Sequence, residues 1–259
     1  MNVRIDYYTG TGGSERVAKR IAEELTEKGC SVKVNRIKRD EFVSDDSFEY
    51  YVLVFAVHSF NAPRPPFEWT NQIEGKNRKC AVISVSGGGE VLSNTACRRK
   101  IIHHLESKNF DVVYEDMVRM PNNWMSVPKK EKSDRLLRNY PLKTREIAQA
   151  IVELQKRRKS PYWIDLLISA MGESEKKVLK KFGEGIITLD HCTGCGICAN
   201  NCCSSNIVIE NGKAVVGDRC DMCLGCIYGC PHNALTATYG GYQVDKKGYN
   251  LKAMERDLL

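Results

Sequence analysis

Cysteine spacing near the C-terminus constrains this chain more than any other sequence feature. Of its twelve cysteines, nine lie between Cys192 and Cys230. Eight of these form two copies of the pattern C-x2-C-x2-C-x3-C, one over residues 192–202 and one over residues 220–230. Three thiolates spaced in this way can ligate three irons of a cube within one tight loop, whereas the fourth iron needs a ligand from elsewhere. The spacing therefore favours iron–sulfur clusters.

Zinc sites and disulfides are the alternatives for these cysteines. The C-x2-C spacing also occurs in structural zinc sites, but zinc takes four ligands and has no use for a third cysteine two residues on. Disulfides need an oxidising compartment. We expect a cytoplasmic protein, because residues 1–13 run straight into a strand and a glycine loop without the regions of a secretory signal. We expect Cys30, Cys80 and Cys97 to pack as buried thiols.

The two cysteine runs resemble those of bacterial two-cluster ferredoxins, in which the last cysteine of each run ligates the other cluster. The resemblance implies a small α+β domain with two [4Fe-4S] clusters. It assigns one cluster to Cys192, Cys195, Cys198 and Cys230, and the other to Cys202, Cys220, Cys223 and Cys226. Cys203 stands where a proline usually follows the first run, so the choice between Cys202 and Cys203 as ligand stays open.

The N-terminal part alternates between strand and helix patterns. Predicted strands cover Val3 to Tyr8, Ser31 to Ile37, Tyr50 to Val57, Lys79 to Val85 and Asp111 to Met117. Predicted helices cover Phe67 to Ile73, Asn94 to Lys108, and Lys129 to Lys159 with a break at Pro141. Five strands alternating with helices indicate an α/β fold with a doubly wound parallel sheet.

The loop after the first strand combines hydroxyls and glycines at the start of a helix, a composition suited to a terminal phosphate. A dinucleotide fold would want a third glycine where Glu15 stands, so NAD is disfavoured. The loop resembles the flavodoxin phosphate loop, T-x-T-G-x-T. This resemblance implies a flavodoxin-like five-stranded sheet that binds FMN phosphate through Thr9, Gly10, Thr11, Gly12, Gly13 and Ser14.

Two later loops follow predicted strands and so should meet at the same sheet edge. In flavodoxin-like proteins such loops hold the isoalloxazine ring. The resemblance thus implies ring contacts from Ser59, Phe60, Asn61, Ala62, Ser86, Gly87, Gly88, Gly89 and Trp124. Phe60, Trp69 and Trp124 are candidates for stacking on the ring, with core or lid packing as the alternative. We assign no catalytic acid, since His58, His103 and His104 have no catalytic pattern around them.

These patterns divide the chain into four parts. We predict an FMN-binding domain over 1–158, a linker with an amphipathic helix over 159–184, a ferredoxin-type domain over 185–240 and a C-terminal tail over 241–259. The amphipathic segment from Tyr162 to Phe182 could cover an interdomain groove or lie on a membrane surface, and we expect the groove. No stretch approaches the roughly 20 apolar residues of a transmembrane helix.

The whole chain resembles a bacterial and archaeal family in which a flavodoxin-like domain precedes a two-cluster ferredoxin domain. That resemblance implies electron transfer between the clusters and FMN, converting one-electron into two-electron steps. The alternatives are an FMN-dependent reductase of a small oxidised substrate, such as a quinone or nitroaromatic, and a first domain that has lost FMN and only docks the ferredoxin. The partner would be a ferredoxin, an oxidoreductase or that substrate, and a homodimer is conceivable.

Net charge does not indicate a nucleic-acid partner. The formal charge of +7 counts every cysteine as neutral. Each cluster with four thiolates would add about −2, and an FMN phosphate about −2 more. We therefore expect a nearly neutral loaded protein that binds no nucleic acid.

Overall fold

A computed structural model describes residues 1–42, 44–90, 94–123, 129–171, 175–237 and 249–258. Its first half is a five-stranded sheet of β1 (Asn2–Tyr8), β2 (Ser31–Arg36), β3 (Tyr50–Ala56), β4 (Lys79–Ser86) and β5 (Asp111–Arg119). The strands are all parallel and lie in the order β2-β1-β3-β4-β5. The predicted doubly wound sheet is confirmed, and its direction of winding reverses between β1 and β3.

Helices cover both faces of the sheet. On one face lie α1 (Gly13–Glu27), α4 (Lys130–Val152) and α9 (Leu251–Arg256), packed on the odd-numbered side chains of β1. On the other face lie α2 (Arg64–Thr70) and α3 (Arg99–Ser107). The C-terminal α9 thus packs back on the first half of the chain through buried Leu251. No helix within the described ranges is long and apolar enough to cross a membrane.

Two helix predictions are wrong. The helix predicted to break at Pro141 is continuous over Lys130–Val152, because Leu137 before the proline and Ile147 after it are buried in the same core. The helix predicted from Asn94 starts only at Arg99. Asn94 instead uses its side-chain amide to hold the loop after β4, donating to Ser86 Oγ at 2.9 Å and to the Gly89 carbonyl at 3.0 Å.

The C-terminal half has a small core of its own. It contains β6 (Ile186–Thr188), α7 (Ile197–Asn201), β7 (Ile207–Glu210), β8 (Lys213–Val216), α8 (Gly225–Tyr228) and β9 (Leu235–Ala237). β6 pairs with β9 and β7 with β8, both antiparallel. Before them come α5 (Trp163–Met171) and α6 (Glu175–Glu184), and Phe182 of α6 is buried in this second core.

A buried carboxylate ties the centre of the sheet together. Asp6 of β1 is fully buried. Its carboxylate forms an ion pair with Arg4 and accepts a hydrogen bond from the indole of Trp69, whose Nε1 donates to Oδ2 at 2.7 Å. Tyr51 donates to the same oxygen at 3.0 Å, and Asn35 donates to Oδ1 at 2.8 Å. Each partner comes from a different element, so this carboxylate links β1, β2, β3 and α2.

Replacing Asp6 with alanine should therefore destabilise the fold strongly. The substitution leaves the Arg4 guanidinium buried without its counter-charge, and we expect the free energy of unfolding to fall by about 3–5 kcal/mol in urea titrations. Glu23→Ala is the control, since Glu23 is 58% exposed and forms a surface ion pair with Arg20. That variant should change stability by no more than about 0.5 kcal/mol. Equal small losses in both variants would contradict the central role of Asp6.

Candidate functional site

One large cavity opens at the carboxyl edge of the sheet, where the winding direction reverses. We call it the sheet-edge cavity, and its volume is about 540 Å³. Its wall comes from the loops that follow β1, β3, β4 and β5, together with residues of the C-terminal half. Parallel α/β sheets bind ligands at this edge, and the volume lies in the range of small-molecule sites.

The loop between β1 and α1 surrounds one end of the cavity with polar groups. Gly12, at the helix N-cap, has φ 94°, and its amide donates to Thr9 Oγ1 at 3.0 Å. Ser14 is 1% exposed, and its Oγ has no hydrogen-bond partner among the described residues. Thr11 Oγ1 accepts from Asn123 Nδ2 at 2.9 Å. An unsatisfied buried hydroxyl beside a helix N-terminus is a good binding position for an anion.

Most of the residues predicted to contact a cofactor lie on the wall of the sheet-edge cavity. These are Thr9, Gly10, Thr11, Gly13, Ser14, Ser59, Phe60, Ser86, Gly87 and Gly88. Within the described ranges, four others are not wall residues, namely Gly12, Asn61, Ala62 and Gly89. Trp124 lies outside the described residues.

The aromatic candidates for stacking on a ring, Phe60 and Trp69, lie in different parts of the structure. Phe60 sits at the tip of the tight turn closed by His58 and Asn61, has φ 64° and is 41% exposed on the cavity wall. Trp69 is 2% exposed and belongs to the core on the α2 and α3 face, where it binds Asp6. A stacking role for Trp69 is therefore wrong, because its indole is committed to the buried carboxylate.

The eight patterned cysteines line two separate cavities. The first cysteine cavity is lined by Cys192, Cys195, Cys198 and Cys230. The second cysteine cavity is lined by Cys202, Cys220, Cys223 and Cys226. Each cavity thus combines three cysteines of one run with the last cysteine of the other. Within the described ranges, no group of three or more His, Cys, Asp or Glu side chains is arranged to hold a single metal ion.

Backbone amides point at several of these sulfurs. Asn206 N donates to Cys202 Sγ, Met222 N to Cys220 Sγ, and Ala234 N to Cys230 Sγ, each at 3.3 Å. Such N–H···S bonds stabilise negative charge on sulfur and tune cluster potentials. Backbone hydrogen bonds from Gly194 and Ala214 likewise lower the pKa of the Cys192 thiol.

The second cysteine cavity is much drier than a surface site. Burial raises the pKa of Cys220 to about 11 and that of Cys226 to about 12. Burial also raises the pKa of Cys223 well above its ordinary value. At neutral pH these thiols stay protonated unless a positive centre enters the cavity, and a low dielectric around such a centre strengthens its bonds to thiolate.

Cys203 points away from the second cysteine cavity. Its side chain is buried against the core on the α2 and α3 face, and its thiol donates to the Thr9 carbonyl at 3.3 Å. Arg36 Nη2 approaches its sulfur at 3.6 Å. Cys202, in contrast, is a wall residue of the cavity. The arrangement favours Cys202 over Cys203 as the fourth cysteine of its set.

Cys223 belongs to two cavities at once. It lines both the second cysteine cavity and the sheet-edge cavity. Its carbonyl packs directly on Gly10 of the first loop, and Gly225 packs on the Gly10 carbonyl, 2.7 Å from where a Cβ would lie. Only residues without a Cβ allow the two backbones to approach this closely.

Polar contacts across the two halves surround this junction. Asp221 accepts from Arg64 Nη2 at 3.0 Å, and its carbonyl accepts from His58 Nδ1 at 3.1 Å. Burial lowers the pKa of His58, so its ring is neutral at pH 7. Arg36 Nη2 donates to the Asn201 carbonyl at 2.9 Å. The C-terminal half is therefore seated on the loops that form the sheet-edge cavity.

Sequence reasoning missed several wall residues. Tyr249 lines the cavity and donates to the Pro121 carbonyl at 2.8 Å, although nothing in the C-terminal sequence indicates this role. Asn94 and Asn123 brace the loops, as described above. The position of Cys223 on the walls of two cavities could not be predicted from the cysteine spacing, because the spacing does not show which other residues lie beside each cysteine.

Comparison with known proteins gives one family match. A sequence model of the flavodoxin family matches residues 5–121. No curated protein matches the chain. Together with the strand order, the family match makes residues 5–121 a flavodoxin-like domain.

Solved structures with detectable likeness cover somewhat more than half of this chain. Oxidised flavodoxin 2 from Bacillus cereus has 15% identity and a TM-score of 0.43, over 59% of this chain and 99% of its own. General stress protein 14 from Treponema denticola, solved in complex with FMN, has 13% identity and a TM-score of 0.42, over 58% of this chain and 99% of its own. These scores are too low to support a conclusion about ligands.

The packing at the junction predicts that Gly10→Ala loosens the contact between the two halves. The added methyl would overlap the Cys223 carbonyl. We expect a loss of about 1–3 kcal/mol in unfolding free energy and faster proteolytic cleavage in the segment 159–184. Gly88→Ala is the matched control, because the nearest atom to its new methyl is Ser86 Oγ at 3.9 Å. If both variants resist protease equally, the tight junction is refuted.

Proposed function

We propose that this chain is an electron-transfer flavoprotein that binds FMN in the sheet-edge cavity and two [4Fe-4S] clusters in the cysteine cavities. When bound, the clusters would exchange single electrons, and FMN would exchange one or two. A redox protein such as a ferredoxin or an oxidoreductase would supply or accept the electrons.

The single observation that carries the proposal is the position of Cys223. One residue forms part of the wall of both the cavity with the phosphate-type loop and the cavity with four cysteines. Its carbonyl also accepts from Asn123 Nδ2 at 3.5 Å, which links it to the loop after β5. The groups bound in these two cavities would thus be separated by one residue and its immediate contacts.

The sheet-edge cavity fits a phosphate at one end. The unpartnered Ser14 Oγ, the hydroxyls of Thr9 and Thr11 and the N-terminus of the 15-residue helix α1 are all donors for a dianion. Lys132 adds a positive charge to the wall. Phe60 and the segment 86–88 supply the apolar and backbone groups that a flat ring system needs.

The cysteine cavities fit four-iron clusters in composition and surroundings. Each cavity has four cysteines, and N–H groups that donate to sulfur occur in both. Aliphatic side chains such as Ile207 and Leu224 shield the second cavity from water. Burial of this kind is a principal determinant of cluster potential.

A reductase of a small oxidised substrate is the second candidate. The exposed ring of Phe60 favours it, because an apolar side chain at the mouth of the cavity could cover a substrate bound over the flavin. Turnover of a quinone or nitroaromatic by the loaded protein would support this activity, and its absence would leave the carrier function.

Anaerobic purification followed by quantification of iron, sulfide, zinc and FMN tests the proposal. The ligand count predicts about eight irons and one FMN per chain. Cys202→Ser should lose one cluster, with iron falling to about four per chain, because it removes one ligand of the second set. Cys203→Ser is the adjacent control and should retain about eight irons. Zinc in place of iron, or loss of a cluster only in Cys203→Ser, would refute this assignment.

Ser14→Ala tests the phosphate position separately. A buried hydrogen bond to a charged group contributes about 1.5–3 kcal/mol, so the Kd for FMN should rise by about 10-fold to 150-fold. Quenching of flavin fluorescence after FMN is stripped and titrated back gives this Kd. Thr26→Val, an exposed site at the other end of α1, is the control and should leave the Kd unchanged. An unchanged Kd in Ser14→Ala would place the phosphate elsewhere.

A further inference from the structure

Helix α5 is amphipathic with its apolar face turned outward. Asp165 and Ser169, one turn apart, are 0% and 4% exposed. Trp163 and Leu167, also one turn apart on the other side, are 73% and 57% exposed. We expected the apolar face to cover an interdomain groove, and that expectation is wrong for both residues. A helix on the surface of a water-soluble domain normally has the reverse orientation.

Hydrogen bonds on the polar face determine this orientation. Asp165 Oδ2 accepts from the Thr95 amide at 3.0 Å and from the Thr95 hydroxyl. Ser169 Oγ donates to Asn61 Oδ1 at 2.6 Å, and the Asn61 amide donates back to the Ser169 carbonyl at 3.0 Å. Lys100 Nζ donates to the same carbonyl at 3.0 Å. Turning the apolar face inward would break all of these hydrogen bonds.

The exposed apolar face of α5 is larger than a single exposed apolar side chain. It includes Tyr162 at 61% exposure and Ile164 at 36%, in addition to Trp163 and Leu167. Contiguous apolar patches of this kind mark sites that bind another apolar phase. Tyrosine and tryptophan beside the aliphatic face of an amphipathic helix are typical of segments that lie at a membrane–water interface.

The charged residues that follow α5 in the sequence indicate which kind of partner binds its exposed face. The sequence of α6, the next helix along the chain, carries Lys176, Lys177, Lys180 and Lys181 against Glu175 and Glu184. A basic segment beside an apolar helix face is complementary to an anionic lipid surface. Three side chains of this short helix, together with the preceding Tyr162, offer on the order of 400 Å², about half of the ~800 Å² that each partner buries in a stable dimer.

We propose that α5 lies in the headgroup region of an anionic membrane, with Trp163 and Leu167 inserted. This is peripheral attachment by one face of a helix, and it requires no membrane-spanning segment. Because Asn61 holds α5 next to the turn that carries Phe60, attachment would bring the mouth of the sheet-edge cavity close to the lipid surface. The inference does not depend on FMN or on the clusters.

Vesicle flotation of the full, anaerobically purified chain tests this inference. The probes are vesicles of phosphatidylcholine alone and of phosphatidylcholine mixed with phosphatidylglycerol. Leu167→Ser is compared with Leu142→Ser, because Leu142 on α4 is 59% exposed and thus matches Leu167 in residue type and exposure. We expect binding to the anionic vesicles only, a decrease of at least about tenfold in Leu167→Ser, and no change in Leu142→Ser.

Salt and fluorescence give independent readouts. Raising the salt concentration should weaken vesicle binding, because screening reduces lysine attraction to lipid phosphate. Vesicles should shift the tryptophan emission of the wild type to shorter wavelength, and Trp163→Phe should lose that shift. Absence of vesicle binding would overturn the inference. So would a wild-type dimer that Leu167→Ser converts to monomer, since a second copy would then cover the face.

Discussion

The contact between the Cys223 carbonyl and Gly10 is the constraint on which the rest of this structure depends. Gly10 lies in the loop that follows the central strand β1, and Cys223 lies in the second cysteine run. The two backbones touch because Gly10 and Gly225 have no side chains at the point of approach. This contact makes a cysteine of one half part of the cavity wall of the other.

The surrounding architecture maintains this contact in two ways. The sheet provides a rigid edge, since β1 is fixed from both sides by neighbouring strands and by the buried carboxylate of Asp6. Charged and polar pairs then orient the C-terminal half on that edge, chiefly Arg64 with Asp221 and Arg36 with the Asn201 carbonyl. Binding loops that are carried by rigid elements keep a fixed position relative to each other.

Sequence patterns predicted the strands and helices better than the contacts between them. Runs of apolar residues mark β1, β3, β4 and β5, because strands that are buried on both faces are almost continuously apolar. The resemblance to two-cluster ferredoxins implied the same two sets of four cysteines that line the two cysteine cavities. Pro141 misled the prediction, because burial of apolar side chains before and after the proline outweighs the tendency of proline to break a helix. The inverted face of α5 was not predictable, because periodicity identifies a polar face but not its partners.

The most direct test of the account measures electron movement between the two cavities. Anaerobically purified protein is mixed rapidly with a one-electron reductant, and the cluster and flavin absorption bands are followed over a range of protein concentrations. We predict that flavin reduction follows cluster reduction in a first-order step whose rate does not depend on protein concentration, since both groups would adjoin Cys223 of one chain. A rate proportional to protein concentration, or clusters that reduce while flavin stays oxidised, would contradict the account.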